Sequence, residues 1–100
     1  MSRNPNRCPT HPGELLREDV LPEVKKSKAE ISRLLGISRQ HLHDILAERK
    51  PVSPEVAVRL GKLFGNGASI WIRMQGANDE WQASRSVDVS EIPTLVAAPL

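Results

Sequence analysis

The side chains that could do acid–base chemistry in this chain of 100 residues are His11, His41, His43, Glu14, Asp44 and Glu48. Their spacing argues against catalysis. His41 and His43 are two positions apart on an expected helix and point about 200° from each other, so they cannot share a substrate or a metal. Cys8 and His11 have no companions at ligand spacing, and a zinc site needs about four such groups. His11 reads better as part of a helix start, bonding to backbone near Glu14. No nucleophile has a base at an interpretable spacing. Neither an enzyme nor a metal or other cofactor is expected. What remains is a short run of hydrogen-bonding groups, Arg39, Gln40, His43 and Asp44, whose chemistry suits recognition rather than reaction.

The elements that must position those groups lie in residues 27–49, SKAEISRLLGISRQHLHDILAER. Ser27 can cap a helix, and Glu30 three positions later can reach back to the amide of the capping residue. Ile31, Leu34 and Leu35 then recur at the spacing of one buried face, with Lys28 and Arg33 on other sides. Gly36 ends the helix, because glycine accepts the left-handed conformation that a helix C-terminus often needs. Ser38 caps a second helix that buries Leu42, Ile45 and Leu46. Its opposite face collects Gln40, His43, Asp44 and Ala47, with Arg39 alongside. Ser32 falls where the two helices approach, and its small side chain avoids a clash. These are the parts of a helix-turn-helix, whose second helix lies in the DNA major groove. An ordinary helical hairpin shares the capping serines and the glycine turn. The coincidence of the small residue, the turn, the apolar spacing and the polar tip favours the helix-turn-helix.

Composition bounds the rest. One hundred residues suit one domain with a modest core. Three aromatics, no tyrosine and no long alternating β-branched run predict an all-helical fold. The lone Cys8 forms no internal disulfide, and with no leader-like or long apolar run the expectation is a cytoplasmic, nucleoid-associated protein with no membrane partner. Net charge is only +2, but residues 25–50 hold seven basic residues (Lys25, Lys26, Lys28, Arg33, Arg39, Arg49 and Lys50) against three acids, Glu30, Asp44 and Glu48. Both flanks are slightly acidic. Positive charge gathered around the polar helix face is what phosphate binding needs, although lysines also cluster on surfaces for solubility alone.

Three further helices are predicted. HPGE leads into ELLREDVL, with Pro22 marking the end of the first helix. Ser53-Pro54-Glu55 supplies a cap, a first-turn proline and an acid at the positive end of the dipole for another. Val56, Leu60, Leu63 and Phe64 form its buried stripe, and Gly65-Asn66-Gly67 stops it. Ala68 opens a longer helix through about Ser84, lined by Ile70, Trp71, Met74 and Trp81. The division expected is a flexible arm at 1–10, the helix-turn-helix domain at 11–84 and a tail at 85–100. In the tail, Val87 and Val89 alternate with polar residues, and Ile92, Leu95 and Val96 follow. A short strand, an extended arm on a partner and a disordered end all fit it.

HPGELL near the start, the helix-turn-helix, the VSPEVAVRL run, and IWIRMQ followed by ND and Trp81 together resemble HigA-type antitoxins, also labelled VapI-like, of the Xre helix-turn-helix class. The likeness covers residues 9–84. It implies a five-helix lambda-repressor-like domain that dimerises, represses transcription from an operator palindrome in double-stranded DNA, and neutralises a HigB-type ribonuclease toxin. A stand-alone Xre-class regulator with no toxin is the alternative. Carried over by position, the resemblance places Ser38, Arg39, Gln40 and His43 at the DNA, with Asp44 open. Arg39 could fork onto guanine O6 and N7, Gln40 pair with adenine, and His43 give one bond to a base edge or phosphate. Asp44 could accept from a cytosine amine, or have a solvent-facing or intrahelical role. Ser27, Lys28, Arg49, Lys50 and Ser53 at neighbouring helix ends would hold the phosphates.

The chain departs from the family pattern at Lys26, just before the capping serine, where relatives usually carry an apolar residue. That lysine either faces phosphate or loosens the turn. Dimerisation also follows without the resemblance, because one recognition helix reads only about four base pairs and such modules pair across a two-fold axis. The expected dimer surface is the last helix, through Ile70, Met74 and Trp81. Trp71 and Trp81 are about 80° apart on it, so Trp71 is assigned to the core and Trp81 to the interface, with both in the core as the alternative.

Overall fold

A computed structural model describes residues 7–96, which form five helices and no strand among the described residues. The first, α1, is three abutting segments: α-helical Pro12–Leu15, π-helical Leu16–Val20 and α-helical Leu21–Val24. His11 caps it, its Nδ1 accepting from the Gly13 amide at 2.9 Å, and Pro12 takes the first position, where no amide partner is needed. Gly13 is buried, and a Cβ there would run into the Ile45 backbone carbonyl. The opening HPGE is therefore a cap followed by a site of backbone contact.

Pro22 does not end this helix. The chain continues to Val24 and stops where Lys25 turns left-handed at φ 59°. A proline inside an α-helix lacks an amide and pushes its ring against the carbonyl four residues back. Here the preceding turn is π-helical, with the Leu21 amide bonded to the Leu16 carbonyl five residues back, so the wider turn accommodates the ring.

Helix α2 (Lys28–Leu35) is capped by Ser27, whose Oγ accepts from the Glu30 amide at 3.1 Å. The Glu30 carboxylate faces Lys26 and Arg33, 3.6 Å from each. Gly36 closes the helix at φ 73°. Its buried residues are Ile31, Ser32 and Leu35, while Leu34, expected inside, is 45% exposed. Relative to Ile31, Leu35 lies about +40° and Ser32 about +100° around the cylinder, with Leu34 about −60° on the other side. The buried face has rotated toward the small Ser32, where helices can approach, and away from Leu34.

Helix α3 (Arg39–Leu46) starts at Ser38, whose Oγ accepts from the His41 amide at 2.9 Å, and buries Leu42, Ile45 and Leu46. Helix α4 (Pro54–Phe64) is capped by Ser53 through the Val56 amide at 3.2 Å and buries Val56, Ala57 and Leu60. Leu63 and Phe64 pack against that core without full burial. Helix α5 (Ser69–Ser86) runs two residues past the expected end. Trp71 is 1% exposed, touches Phe64 with ring centroids 6.5 Å apart, and donates from Nε1 to Asn66 Oδ1 at 3.1 Å, so its assignment to the core holds.

Helix α2 packs on α3 and α4, α1 on α3 and α5, and α4 on α5. One core results, from Leu16 through Ile31, Leu42, Ile45 and Leu60 to Trp71. Two polar residues of α5 tie the loops to it. Gln75 Oε1 accepts from the Val52 amide at 2.8 Å, and Asn78 Nδ2 donates to the Pro9 carbonyl at 2.8 Å. Residues 1–6 of the expected arm and 97–100 of the expected tail lie outside the described residues. Within the tail, a turn forms through Ser90 N–H to Asp88 Oδ1 at 2.9 Å, and Val87, Val89, Ile92, Leu95 and Val96 are exposed.

Candidate nucleic-acid interface

With Leu42, Ile45 and Leu46 of α3 in the core, its other face is left bare. Arg39, Gln40, His43 and Ala47 are all exposed and share an arc of about 100°. Three of the four end in hydrogen-bonding groups, and the fourth is small enough to let a partner surface come close. Ser38 is exposed at the head of the same helix. Ser27 and Lys28 are exposed at the start of α2, and Ser53 is half-buried at the start of α4.

Asp44 departs from the expected arrangement. The sequence puts it on the outward face; the structure leaves it 9% exposed. Its Oδ1 accepts from Gln40 Nε2 at 3.0 Å and from Arg49 Nε and Nη2 at 3.1 and 2.9 Å. Lys50 Nζ lies 3.7 Å from Oδ2. Hydrogen bonds from Arg49 first, with Gln40 and the charges of Arg49 and Lys50 behind them, hold the carboxyl below its ordinary value despite its desolvation. The reason is the turn after α3. Glu48 adopts φ 64°, and the Arg49 and Lys50 amides bond back to the Asp44 carbonyl at 2.8 and 3.2 Å. That reversal folds both cations over Asp44 and leaves its side chain 12% exposed. Four of the expected site residues, Gln40, Asp44, Arg49 and Lys50, thus form one cluster. Lys28 and Arg39 stand exposed with no acidic partner among the described residues.

Sequence reasoning missed the arginines that hold this unit from outside. Arg17 of α1 donates from Nη1 to the Leu46 carbonyl at 2.6 Å and pairs with Glu48 at 3.2 Å. Arg59 of α4 donates from Nη1 to the Leu35 carbonyl at 2.9 Å and pairs with Glu55 at 3.1 Å. Each closes the C-terminus of one helix of the pair, where carbonyls lack intrahelical donors. The need for donors could be read from the helix ends, but which distant side chains supply them could not.

The residues expected at a dimer surface also take distinct places on α5. Ile70 is 39% exposed, Met74 and Trp81 are half-buried, and the Arg85 guanidinium lies 4.2 Å from the centre of the Trp81 ring. Among the described residues, no group of three or more His, Cys, Asp or Glu is placed to hold a metal, and no helix is long and apolar enough to cross a membrane.

No protein-family model matches the chain. Individual relatives do. The chain is 35% identical over 69 residues to virulence-associated protein I of Dichelobacter nodosus, a stretch that is 69% of this chain and 64% of that protein, so it spans slightly less than two thirds of that relative's length. Among solved structures it is similar to the antitoxin HigA of Pseudomonas aeruginosa, determined with the higBA promoter, at 35% identity over 78% of this chain and 85% of that one, with a TM-score of 0.74. It is also similar to an addiction module antidote protein of the HigA family from Coxiella burnetii, at 27% identity over 90% of this chain and all (100%) of that one, with a TM-score of 0.79. The likeness to the two solved structures extends over 78% and 90% of this chain, well beyond the two central helices, and such relatives are DNA-binding regulators and antitoxins rather than enzymes. The chain belongs to the HigA family of helix-turn-helix antitoxins and transcription regulators.

Proposed function

We propose that the chain is a sequence-specific transcriptional repressor that binds an operator palindrome in double-stranded DNA as a homodimer and serves as the antitoxin to a HigB-type ribonuclease toxin. The observation that carries the DNA half is the bare face of α3. A helix whose apolar side is consumed by the core, and whose exposed arc offers Arg39, Gln40 and His43, has the shape and groups to enter a major groove. Arg39 reads guanine and Gln40 reads adenine, with His43 adding one bond. Ser27, Lys28, Ser38, Arg49, Lys50 and Ser53 sit at helix starts and the adjoining turn, where backbone contacts set register without carrying sequence. The P. aeruginosa relative, determined with its promoter, supports the same mode of use.

Dimerisation supplies the length of sequence that one helix cannot read. Ile70, Met74 and Trp81 form its surface on α5. Trp81 Nε1 is shielded from solvent without an acceptor among the described residues, a donor that a second copy would satisfy. Footprinting on the promoter of the chain's own gene tests the DNA reading. Two protected half-sites about one helical turn apart are expected, and unprotected DNA contradicts it. Co-purification with the product of the adjacent reading frame tests the antitoxin reading. If no neighbour binds, the function contracts to that of a stand-alone Xre-class regulator.

A further inference from the structure

We infer that Asp44 is a positioning residue for base reading, one that aims the Gln40 amide and offsets the charge of Arg49 and Lys50 so that binding depends on sequence more than on phosphate. The inference rests on the DNA-binding reading of α3 and deepens it. The Asp44 side chain is 12% exposed, beneath the recognition face rather than on it. Its carboxylate can only accept, so the bond at 3.0 Å fixes which end of the Gln40 amide points inward. Nε2 faces Asp44, and Oε1 with the second amide hydrogen is left for the groove. That acceptor–donor pair is what adenine N6 and N7 require. An untethered glutamine would flip or swing and lose that pairing before contact.

The second part is electrostatic. Arg49 bonds Oδ1 through two nitrogens and Lys50 lies 3.7 Å from Oδ2, so the three side chains together carry +1 where the two cations alone would carry +2. Phosphate attraction without sequence information scales with the cations free to neutralise phosphates. Asp44 lowers it at the edge of the reading helix, while Arg39 and Lys28 keep theirs.

Three variants separate the two roles in titrations against the gene's own promoter duplex and a scrambled duplex of equal length. Asp44→Asn keeps an acceptor for Gln40 and removes the charge. Its affinity for the scrambled duplex should rise severalfold, and the slope of log affinity against log salt should steepen by about one. Asp44→Ala should in addition lose about tenfold of discrimination at the base pair where Gln40→Ala relaxes selectivity. In the Gln40→Ala background, Asp44→Ala should cause no further loss there, which a merely structural role would not produce. A folded Asp44→Ala protein with wild-type discrimination overturns the inference, as does a loss that persists without Gln40. If Asp44→Ala does not fold, an unchanged salt slope in the isosteric Asp44→Asn overturns it by itself. Wild-type protein that fails to distinguish the two duplexes overturns the functional reading and this inference with it.

Discussion

The Arg59 guanidinium reaches the Leu35 carbonyl at 2.9 Å by lying where residue 36 has no side chain. A Cβ on Gly36 would stand 2.6 Å from Arg59 Nη1, and the residue's φ of 73° already disfavours any other L side chain. Backbone conformation and a capping bond from a distant helix therefore impose glycine at the same position. Gly65 has almost the same φ, 74°, but open space around it. The comparison isolates the effect of Arg59. Gly65→Ala should destabilise by about 1 kcal/mol, from backbone strain alone, and Gly36→Ala by about 2 kcal/mol. Urea melts of the two variants measure the difference; equal losses would mean that the Arg59 bond contributes nothing.

Gly13 predicts a larger effect. Its missing side chain faces the Ile45 backbone carbonyl, which cannot rotate aside as a guanidinium can. Gly13→Ala should push α1 off α3 and destabilise by about 3 kcal/mol, near the upper end for overpacked cores. A variant that melts within a degree or two of wild type would show that the two helices pack less closely than described.

Stability should fall with pH in a window set by His11. Burial is the main reason its imidazole titrates below the ordinary 6.5, and its Nδ1 must stay unprotonated to accept from the Gly13 amide. The unfolded chain takes up this proton near pH 6.5, before the native one does. Between the two values the unfolded state binds more protons, so native stability declines as pH falls through that interval. His11→Asn, which can cap without titrating there, should remove that component from urea melts at pH 7 and about pH 5.5. Asp44 acts in a lower window. Its folded value is depressed, so its contribution is present above the ordinary 3.8 and lost as pH falls through the native value.

Much of the architecture was legible because it is written locally. Ser27, Ser38 and Ser53 each cap the helix expected of them, and Trp71 fills the core. The departures have different causes. Pro22 reads as a stop because proline disrupts a regular α-helix, whereas the turn before it is π-helical. Leu34 looked apolar enough to bury, but the helix rotated toward Ser32. Asp44, whose role the sequence leaves open, takes the intrahelical one through Gln40, and helical angle alone does not show that the following turn also brings Arg49 and Lys50 over it. Arg17, Arg59 and Gln75 act across 20 residues or more of sequence, and nothing near them marks their partners. The bare face of α3 was the opposite case, since a single period sorts Arg39, Gln40 and His43 from Leu42, Ile45 and Leu46.

Assembly gives a prediction independent of DNA. Light scattering at tens of micromolar should return the mass of a dimer, and Trp81→Ala should shift it toward the monomer, because interface tryptophans often dominate binding. A strictly monomeric wild-type protein would remove α5 as the pairing surface.

The central claim is that α3 reads bases through Arg39 and Gln40, and fluorescence anisotropy on the gene's own promoter duplex tests it most directly. Arg39→Ala and Gln40→Ala should each lower affinity by about 1 to 3 kcal/mol and relax selectivity at one position, whereas Lys28→Ala should weaken all duplexes alike and flatten the salt dependence by about one unit. A folded Arg39→Ala, Gln40→Ala double variant that binds the promoter as tightly and as selectively as wild type would contradict the account.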